Sequence, residues 1–593
     1  AEKNAIWMPT DREEYRRVIR FFADRENFPA YYTVFNEPEG KWRGSWSDFV
    51  QWHADTRNAV KSVKPETVVL GPAFCNVNLH LLRKLGALGL FEAVDGLNIH
   101  PYVDGTAPER EFIGRIDELE QYLDSIGKQK MPLFYTEFGW TTNIGGWQKP
   151  VSENLQKQYV ARSLALMGTT RMTGCVYFTL FYRNINPGEE GFSLIDPRGF
   201  PRPGAAALAT AFRHLGGVTG RGVRLAFSPE IYLCVFDAGN DEIMATVWST
   251  EKQQKFPVPF PVERIYDVVG RPQIVPAGNV LEIGPDLLYL YGKKSSGMLD
   301  IHFLPEQKLL IGNHLEHHLE QPLVFPPLSE KNGFLFCDSE NVTGRFLVLG
   351  RQNDRWVGCP VKIPGALELS DLRLIWQSGE VPEVQFSCRS NLDASVEITI
   401  HGELNGCQLA GEPQTAVPDE SIPGRLTIPE HIAANGGTLK LFVESATQRR
   451  SAVETLDIAL LAALRQSGET VDWSSVPVFS WNKFPGFMEK ENEVAAFDAN
   501  ECSGTLHTTY SPVGLCFRVV IRDDQHCNDK SESEIWQQDS LQFAFDPDSA
   551  KPWEPNAQFG LNGHRVLEYA VSSGKDKKIT VWRHTSYDPL LLD

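Results

Sequence analysis

Two glutamates stand where a chain can do acid–base chemistry. Glu37 closes the run Tyr31-Tyr32-Thr33-Val34-Phe35-Asn36-Glu37-Pro38. Glu137 sits in Met131-Pro132-Leu133-Phe134-Tyr135-Thr136-Glu137-Phe138-Gly139-Trp140, exactly 100 residues further on. In both, apolar, aromatic and β-branched residues run into a carboxylate. Such a run reads as a buried strand that presents its last side chains at its C-terminal end. A third run, ending in Asn98-Ile99-His100-Pro101-Tyr102, brings an imidazole and a phenol to a strand end of the same kind.

The elements around these strands alternate. Residues 11–24 read as a helix capped by Thr10 or Asp11, with Tyr15, Val18, Ile19 and Phe22 as its apolar stripe. Helices follow over 45–63, 79–88, 113–126, 153–167 and 203–215, separated by strands at 31–35, 67–71, 94–100, 131–137 and 174–181. Strand–helix alternation with parallel-type apolar strands is the pattern of an α/β layered domain or a (β/α) barrel. Five strands are present and a closed barrel needs eight, so the expectation is a barrel lacking its first three strand–helix units. An open doubly wound sheet is the competing reading, weakened by the lack of a glycine-rich phosphate loop after the first strand.

The totals narrow the partners. The chain has 593 residues, enough for roughly three to five domains. A formal net charge of −19 disfavours nucleic acid and anionic membrane as main partners. The 10 cysteines contain no C-x-x-C pair and are too sparse for a disulfide scaffold. No apolar stretch is long enough to cross a bilayer. The cluster His314, His317 and His318 lacks a closed ligand set, so no metal is assigned to it.

Asn36-Glu37-Pro38 at one strand end and Glu137-Phe138-Gly139 at another resemble the clan A retaining glycoside hydrolases. Trp7-Met8-Pro9-Thr10-Asp11 and Asn98-Ile99-His100-Pro101-Tyr102 look most like glycoside hydrolase family 39 and its relatives, as do Gly191-Phe192-Ser193-Leu194-Ile195-Asp196 and Gly199-Phe200-Pro201-Arg202-Pro203. The resemblance covers residues 1–215. It implies a (β/α)8 TIM barrel with Glu37 and Glu137 on its fourth and seventh strands. Glu37 would be the acid/base, its carboxyl raised in the free enzyme, and Glu137 the nucleophile. Asn36 would bond the sugar 2-OH, Tyr102 would hold Glu137, and His100 would line the same mouth. Trp140 and Trp147 are cleft candidates. Where the family carries a sugar-stacking tryptophan on its last strand, this chain has Phe178. The arginine that usually ends the second barrel strand is not in this chain.

After Gly216 the pattern turns to short alternating strands with frequent turn residues, which suggests β-sandwiches. The expected division is a barrel over 1–216, a small β-sandwich over 217–293, an intermediate β-sandwich domain over 298–466, and a last module over 467–593. Val520-Ile521-Arg522-Asp523-Asp524 and Ile535-Trp536-Gln537-Gln538-Asp539-Ser540-Leu541-Gln542 resemble family 9 carbohydrate-binding modules, here incomplete. That likeness makes Trp536, Trp553 and Trp582 sugar-clamp candidates and Asp523, Asp524 and Asp539 candidate ligands of a structural calcium. No cofactor is expected for catalysis. The expectations are a carbohydrate partner, an extracytoplasmic location and a retaining glycosidase acting on a β-linkage. The alternative is a carbohydrate-binding protein with an inactive barrel.

Overall fold

A computed structural model of the chain describes residues 6, 8–39, 41–143, 148–181, 187–310, 313–331, 333–337, 342–375, 381–391, 395–404, 406–418, 420–429, 437–445, 451–458, 464–465, 471–474, 478–480, 502–511, 514–523, 541–545, 567–573 and 579–584. Its contacts divide the chain into two units. One comprises 1–224, 234–294 and 526–593, and the other 225–233 and 295–525.

The first unit opens with five parallel strands: β1 (Tyr31–Thr33), β2 (Val68–Phe74), β3 (Gly96–Ile99), β4 (Leu133–Phe138) and β5 (Met172–Tyr177). Its helices are α1 (Arg12–Ala23), α2 (Trp46–Lys61), α3 (Leu79–Ala87), α4 (Leu90–Ala93), α5 (Ile113–Ser125), α6 (Glu153–Met167) and α7 (Pro203–Leu215). Local chemistry sets several helix starts. The side chains of Asp11, Ser45, Asn78 and Ser152 each accept an N–H of the first turn, and Pro203 opens α7.

The strand order is sequential, β1-β2-β3-β4-β5. A doubly wound sheet reverses its order at a switch point, and this one does not. Right-handed crossovers that always step the same way leave the connecting helices on one face. The other face is concave. The rings of Tyr31 on β1 and Phe134 on β4 have centroids 4.8 Å apart. In a flat sheet those strands would lie about 14 Å apart. On the same face Asn98 donates to the Thr33 hydroxyl at 2.8 Å and accepts from the Thr136 hydroxyl, so one amide ties β1, β3 and β4. The sheet is an arc of the kind a (β/α) barrel contains.

Two readings need correction. In α1 the core takes Ile19 and Ala23, which pack with Ala59, Val60 and Val69, while Phe22 is 51% exposed. The buried line runs at i, i+4, with Tyr15 beside it, and Phe22 falls off it. The last strand ends at Tyr177 rather than at 181. Beyond Phe178 the backbone pairs with the 192–195 segment instead: Thr179 N–H bonds Phe192 O, and Leu194 N–H bonds Thr179 O.

Residues 219–293 build a six-stranded sheet from Thr219–Ala226, Ile231–Gly239, Glu242–Ser249, Arg264–Tyr266, Pro272–Gln273 and Leu288–Lys293, beside the pair Gln254–Pro257 and Val280–Ile283. A buried ion pair joins this sheet to the helices. Arg162 Nε lies 2.8 Å from Glu109 Oε1, off the line of its N–H, and Nη2 donates to Oε2 at 3.3 Å. The Trp248 indole also donates to Glu109, at 2.8 Å. Lys157 and Gln158 on α6 both reach Asp286, at 2.8 and 2.9 Å. The first unit also holds the meander Leu541–Phe545, Leu567–Ser573 and Ile579–His584.

The second unit is β-rich. A five-stranded sheet centred on Gly344–Gln352 and Arg355–Ile363 closes over a core that includes Leu315, Val348, Cys359 and Val361. His314 and His318 both pack edge-on to Phe334. Next, a three-stranded sheet (Leu367–Ile375, Glu383–Ser390, Ser421–Thr427) and a five-stranded sheet with Val396–Leu404 and Gly437–Ser445 share one core: Val384, Phe386, Ile398, Ile400, Leu426, Leu439 and Leu441. Val396–Leu404 alternates between inside and outside, the period expected of a sandwich strand. The hairpin Cys502–Ser511 with Gly514–Asp523 forms a four-stranded sheet with the short strands Leu464–Arg465 and Val478–Ser480.

The Glu109–Arg162 pair generates a stability prediction. Both side chains are almost fully buried, so removing one partner leaves a charge without compensation. Arg162→Leu is expected to cost about 3–5 kcal/mol in urea unfolding, and the double variant Arg162→Leu/Glu109→Gln clearly less.

Candidate active site

The site forms where β1, β3 and β4 end. Thr33 faces the concave side. The strand ends there, Phe35 turns to the helices and packs on Phe49 and Trp52 of α2, and the left-handed turn at Glu37 brings its carboxyl against His100. On β3 the strand period of two carries His100 to the side that Asn98 faces. Glu137 breaks the rule, because strict alternation would send it opposite to Thr136. Relative to β5, the β4 register shifts between Tyr135 and Phe138, and Glu137 lies inside that irregularity. Such irregularities re-aim single side chains. The result is that one oxygen of Glu37, one of Glu137 and a His100 ring nitrogen lie within 4.8 Å of one another.

His100 is the hub. It is 1% exposed, and its N–H bonds Phe74 O at 2.7 Å. Its Nδ1 lies 3.0 Å from Glu37 Oε1 and 3.6 Å from Glu137 Oε2. Tyr102 donates its hydroxyl to Glu137 Oε2 at 3.2 Å. Lys41 Nζ stands 3.9 Å from Glu37 Oε2. The Cys75 thiol, just past the end of β2, also acts to lower the Glu37 carboxyl.

The electrostatics split the two carboxyls. Burial works to raise Glu37, but the His100 hydrogen bond and charge, with Lys41 and Cys75, outweigh it and hold the group below its ordinary value. Burial raises Glu137, the Glu37 charge adds to that, and together they exceed the pull of His100 and Tyr102. This order is the reverse of the one expected of Glu37 as acid. The physical reason is distance, since the imidazole stands closer to Glu37 than to Glu137. Burial also pushes the Tyr102 hydroxyl and the Cys75 thiol well up, so both stay protonated donors.

Glu37 has a left-handed backbone, with φ of +49°. A non-glycine residue there costs about 1–2 kcal/mol, and a following proline favours extended conformations instead. The Glu37 N–H bonds Ala73 O at 2.8 Å, which anchors the turn to β2.

The other candidates lie as follows. Asn36 is exposed beside Glu37 and pairs through its backbone with Ala73. Phe178 is half-buried, edge-on to Phe192 at 5.6 Å. Trp140 is 1% exposed, packs on Phe112 and Tyr159, and donates its indole N–H to Thr106 O, so its ring faces are closed off in the wall. Trp147, Trp536, Trp553, Asp524 and Asp539 lie outside the described residues. Trp582 and Asp523 fall on strands of which only the backbone is described. Cys75 and Glu39 were not singled out in the sequence. The signal available was position, one just past a parallel strand and the other two residues past Glu37.

Glu37, His100 and Glu137 are also, among the described residues, the one group whose donor atoms are close enough to share a cation. Three donors are one short of a closed tetrahedral set, and 3.0 Å is an ordinary hydrogen-bond length.

No protein-family model and no curated protein matches the sequence. Among solved structures the chain is similar to a family 39 glycoside hydrolase from the gut symbiont Bacteroides cellulosilyticus WH2, at 19% identity and a TM-score of 0.41, over 48% of this chain and 63% of that one. It is similar to a monomeric beta-xylosidase from Caulobacter crescentus CB15 at 16% identity and a TM-score of 0.34, over 48% of this chain and 76% of that one. It is also similar to a glucosidase from Croceicoccus marinus at 12% identity and a TM-score of 0.34, over 71% of this chain and 73% of that one. The chain thus spans less than two thirds of the family 39 structure's length.

Proposed function

We propose that this chain carries the catalytic pair of a retaining glycoside hydrolase that acts on a β-linked sugar. The observation that carries the reading is the spacing. The carboxyl oxygens of Glu37 and Glu137 come within 4.8 Å at the ends of two parallel strands. Retaining enzymes hold their carboxyls about 5–5.5 Å apart, while inverting ones leave about 6.5–9.5 Å for a water.

In this reading the protonated Glu37 gives its proton to the glycosidic oxygen while a Glu137 oxygen attacks the anomeric carbon. The C–O bond to the leaving alcohol breaks and a glycosyl ester forms. Glu37, now a carboxylate, takes a proton from water, whose oxygen displaces Glu137. Asn36 bonds the sugar 2-OH, and Tyr102 keeps Glu137 in line. Loss of the Glu137 charge in the ester lowers Glu37 further, which suits its second role as base.

The order of the two carboxyls favours a second assignment, with Glu137 as acid and Glu37 as nucleophile. A closely coupled pair titrates as a unit, so the order in the free protein does not decide the roles.

Azide rescue decides them. On activated aryl β-glycosides, Glu37→Ala and Glu137→Ala should each lose roughly a hundredfold or more in turnover. Azide should restore Glu37→Ala with a glycosyl azide of retained configuration, and Glu137→Ala with an inverted one. Swapped products support the second assignment. Wild-type turnover in both variants ends the catalytic reading, and sugar binding without turnover in the wild type supports a binding protein.

A pH profile gives an independent check. The Tyr102 hydrogen bond stabilises the Glu137 anion, so Tyr102→Phe raises the Glu137 carboxyl further. A nucleophile must be ionised, and its activity is lost as pH falls through its pKa. The acid limb of kcat/KM should therefore move to higher pH. Movement of the basic limb instead would make Glu137 the acid.

A further inference from the structure

The left-handed Glu37 needs something to hold it, and the turn that follows supplies the means. Lys41 and Trp42 N–H groups both bond Pro38 O, at 3.0 and 2.8 Å, and close the turn on itself. Glu39 then reaches back across it. Its Oε1 accepts the Cys75 N–H at 2.8 Å, just past the end of β2. Its Oε2 is buried with no hydrogen-bond partner among the described residues. The Glu37 N–H already bonds Ala73 O, so the segment 37–39 is pinned to β2 at two points, one on each side of Phe74. The thiol of Cys75, the residue that provides the second pin, also helps to lower the Glu37 carboxyl.

We propose that Glu39 is a positioning residue: its buried carboxyl clamps the Asn36–Glu39 turn to the Cys75 amide and so holds Glu37 in its left-handed conformation against His100. The charged groups near it are Glu37 and Lys41. Burial pushes the Glu39 carboxyl up to about 8, which suits a neutral clamp that adds no charge beside Glu37 at neutral pH. Cys75 and Glu39 lie 36 residues apart, so the clamp is a tertiary contact.

The inference rests on the glycosidase reading for its kinetic consequences and on the geometry alone for its structural one. Two variants test it. Glu39→Asp keeps the carboxyl but is one methylene too short, and Glu39→Gln keeps both reach and an acceptor oxygen. In a crystal structure of the full protein with Glu39→Asp, the His100 Nδ1 to Glu37 Oε1 contact should open beyond about 3.5 Å, whereas Glu39→Gln should keep it. In kinetics Glu39→Asp should lower kcat roughly tenfold with KM little changed. The limb governed by Glu37 should move up by roughly half a unit, because the carboxyl loses the hydrogen bond that depresses it. Glu39→Gln should recover most of both effects. An unchanged His100–Glu37 contact in Glu39→Asp, a profile that only scales without moving, or Glu39→Gln as impaired as Glu39→Asp overturns the proposal. A wild-type protein with no turnover on any glycoside removes the proposed function and leaves the crystallographic comparison to decide the clamp.

Discussion

Two carboxyl groups held within 4.8 Å of each other, both largely out of water, cannot both carry a full charge at low cost. The structure answers that constraint with one imidazole. His100 stands between them, closer to Glu37, and is itself fixed by a backbone bond to Phe74. Its position sets which carboxyl is depressed and which is raised. Tyr102 adds a donor to the second carboxyl, while Lys41 and Cys75 add to the first.

That arrangement in turn depends on curvature. The ends of β1 and β4 meet because the sheet between them bends, and the bend is visible in the Tyr31–Phe134 contact and in the Asn98 amide that ties Thr33 to Thr136. A polar ladder on the concave face also pins strand register, since a one-residue slip would send each of these side chains to the helix side. The helices are held by other means. Caps start them, apolar lines such as Tyr15–Ile19–Ala23 bury them, and the Arg162–Glu109–Trp248 cluster secures α6 against the following sheet.

Backbone irregularity gathers at the two glutamates. Glu37 has a left-handed φ before a proline, and Glu137 sits in a register shift. Strained or irregular backbone persists where surrounding structure over-determines it. Here the pins on β2 at Ala73 and Cys75 are that structure for Glu37. Cys75 and Glu39 therefore connect the rigid strand to the Glu37 carboxyl, although neither carries a sequence pattern that marks it.

Local order was written plainly in the sequence. Apolar runs of strand length, capping residues before amphipathic stretches and a proline at a helix start depend on neighbours a few residues away, and they place α6 and α7 to the residue. The same local patterns put Glu37, His100, Tyr102 and Glu137 at or just past strand ends. What periodicity could not carry was any relation across the chain. It did not show that Phe22 would leave the core line, that the last strand would end at Tyr177 when the 192–195 segment takes over its pairing, or that Trp140 would close into the wall. Nor could it give the order of the two carboxyls or the Glu39 clamp. Those follow from distances between residues 35 to 100 positions apart, which sheet curvature and strand register determine and no local pattern encodes.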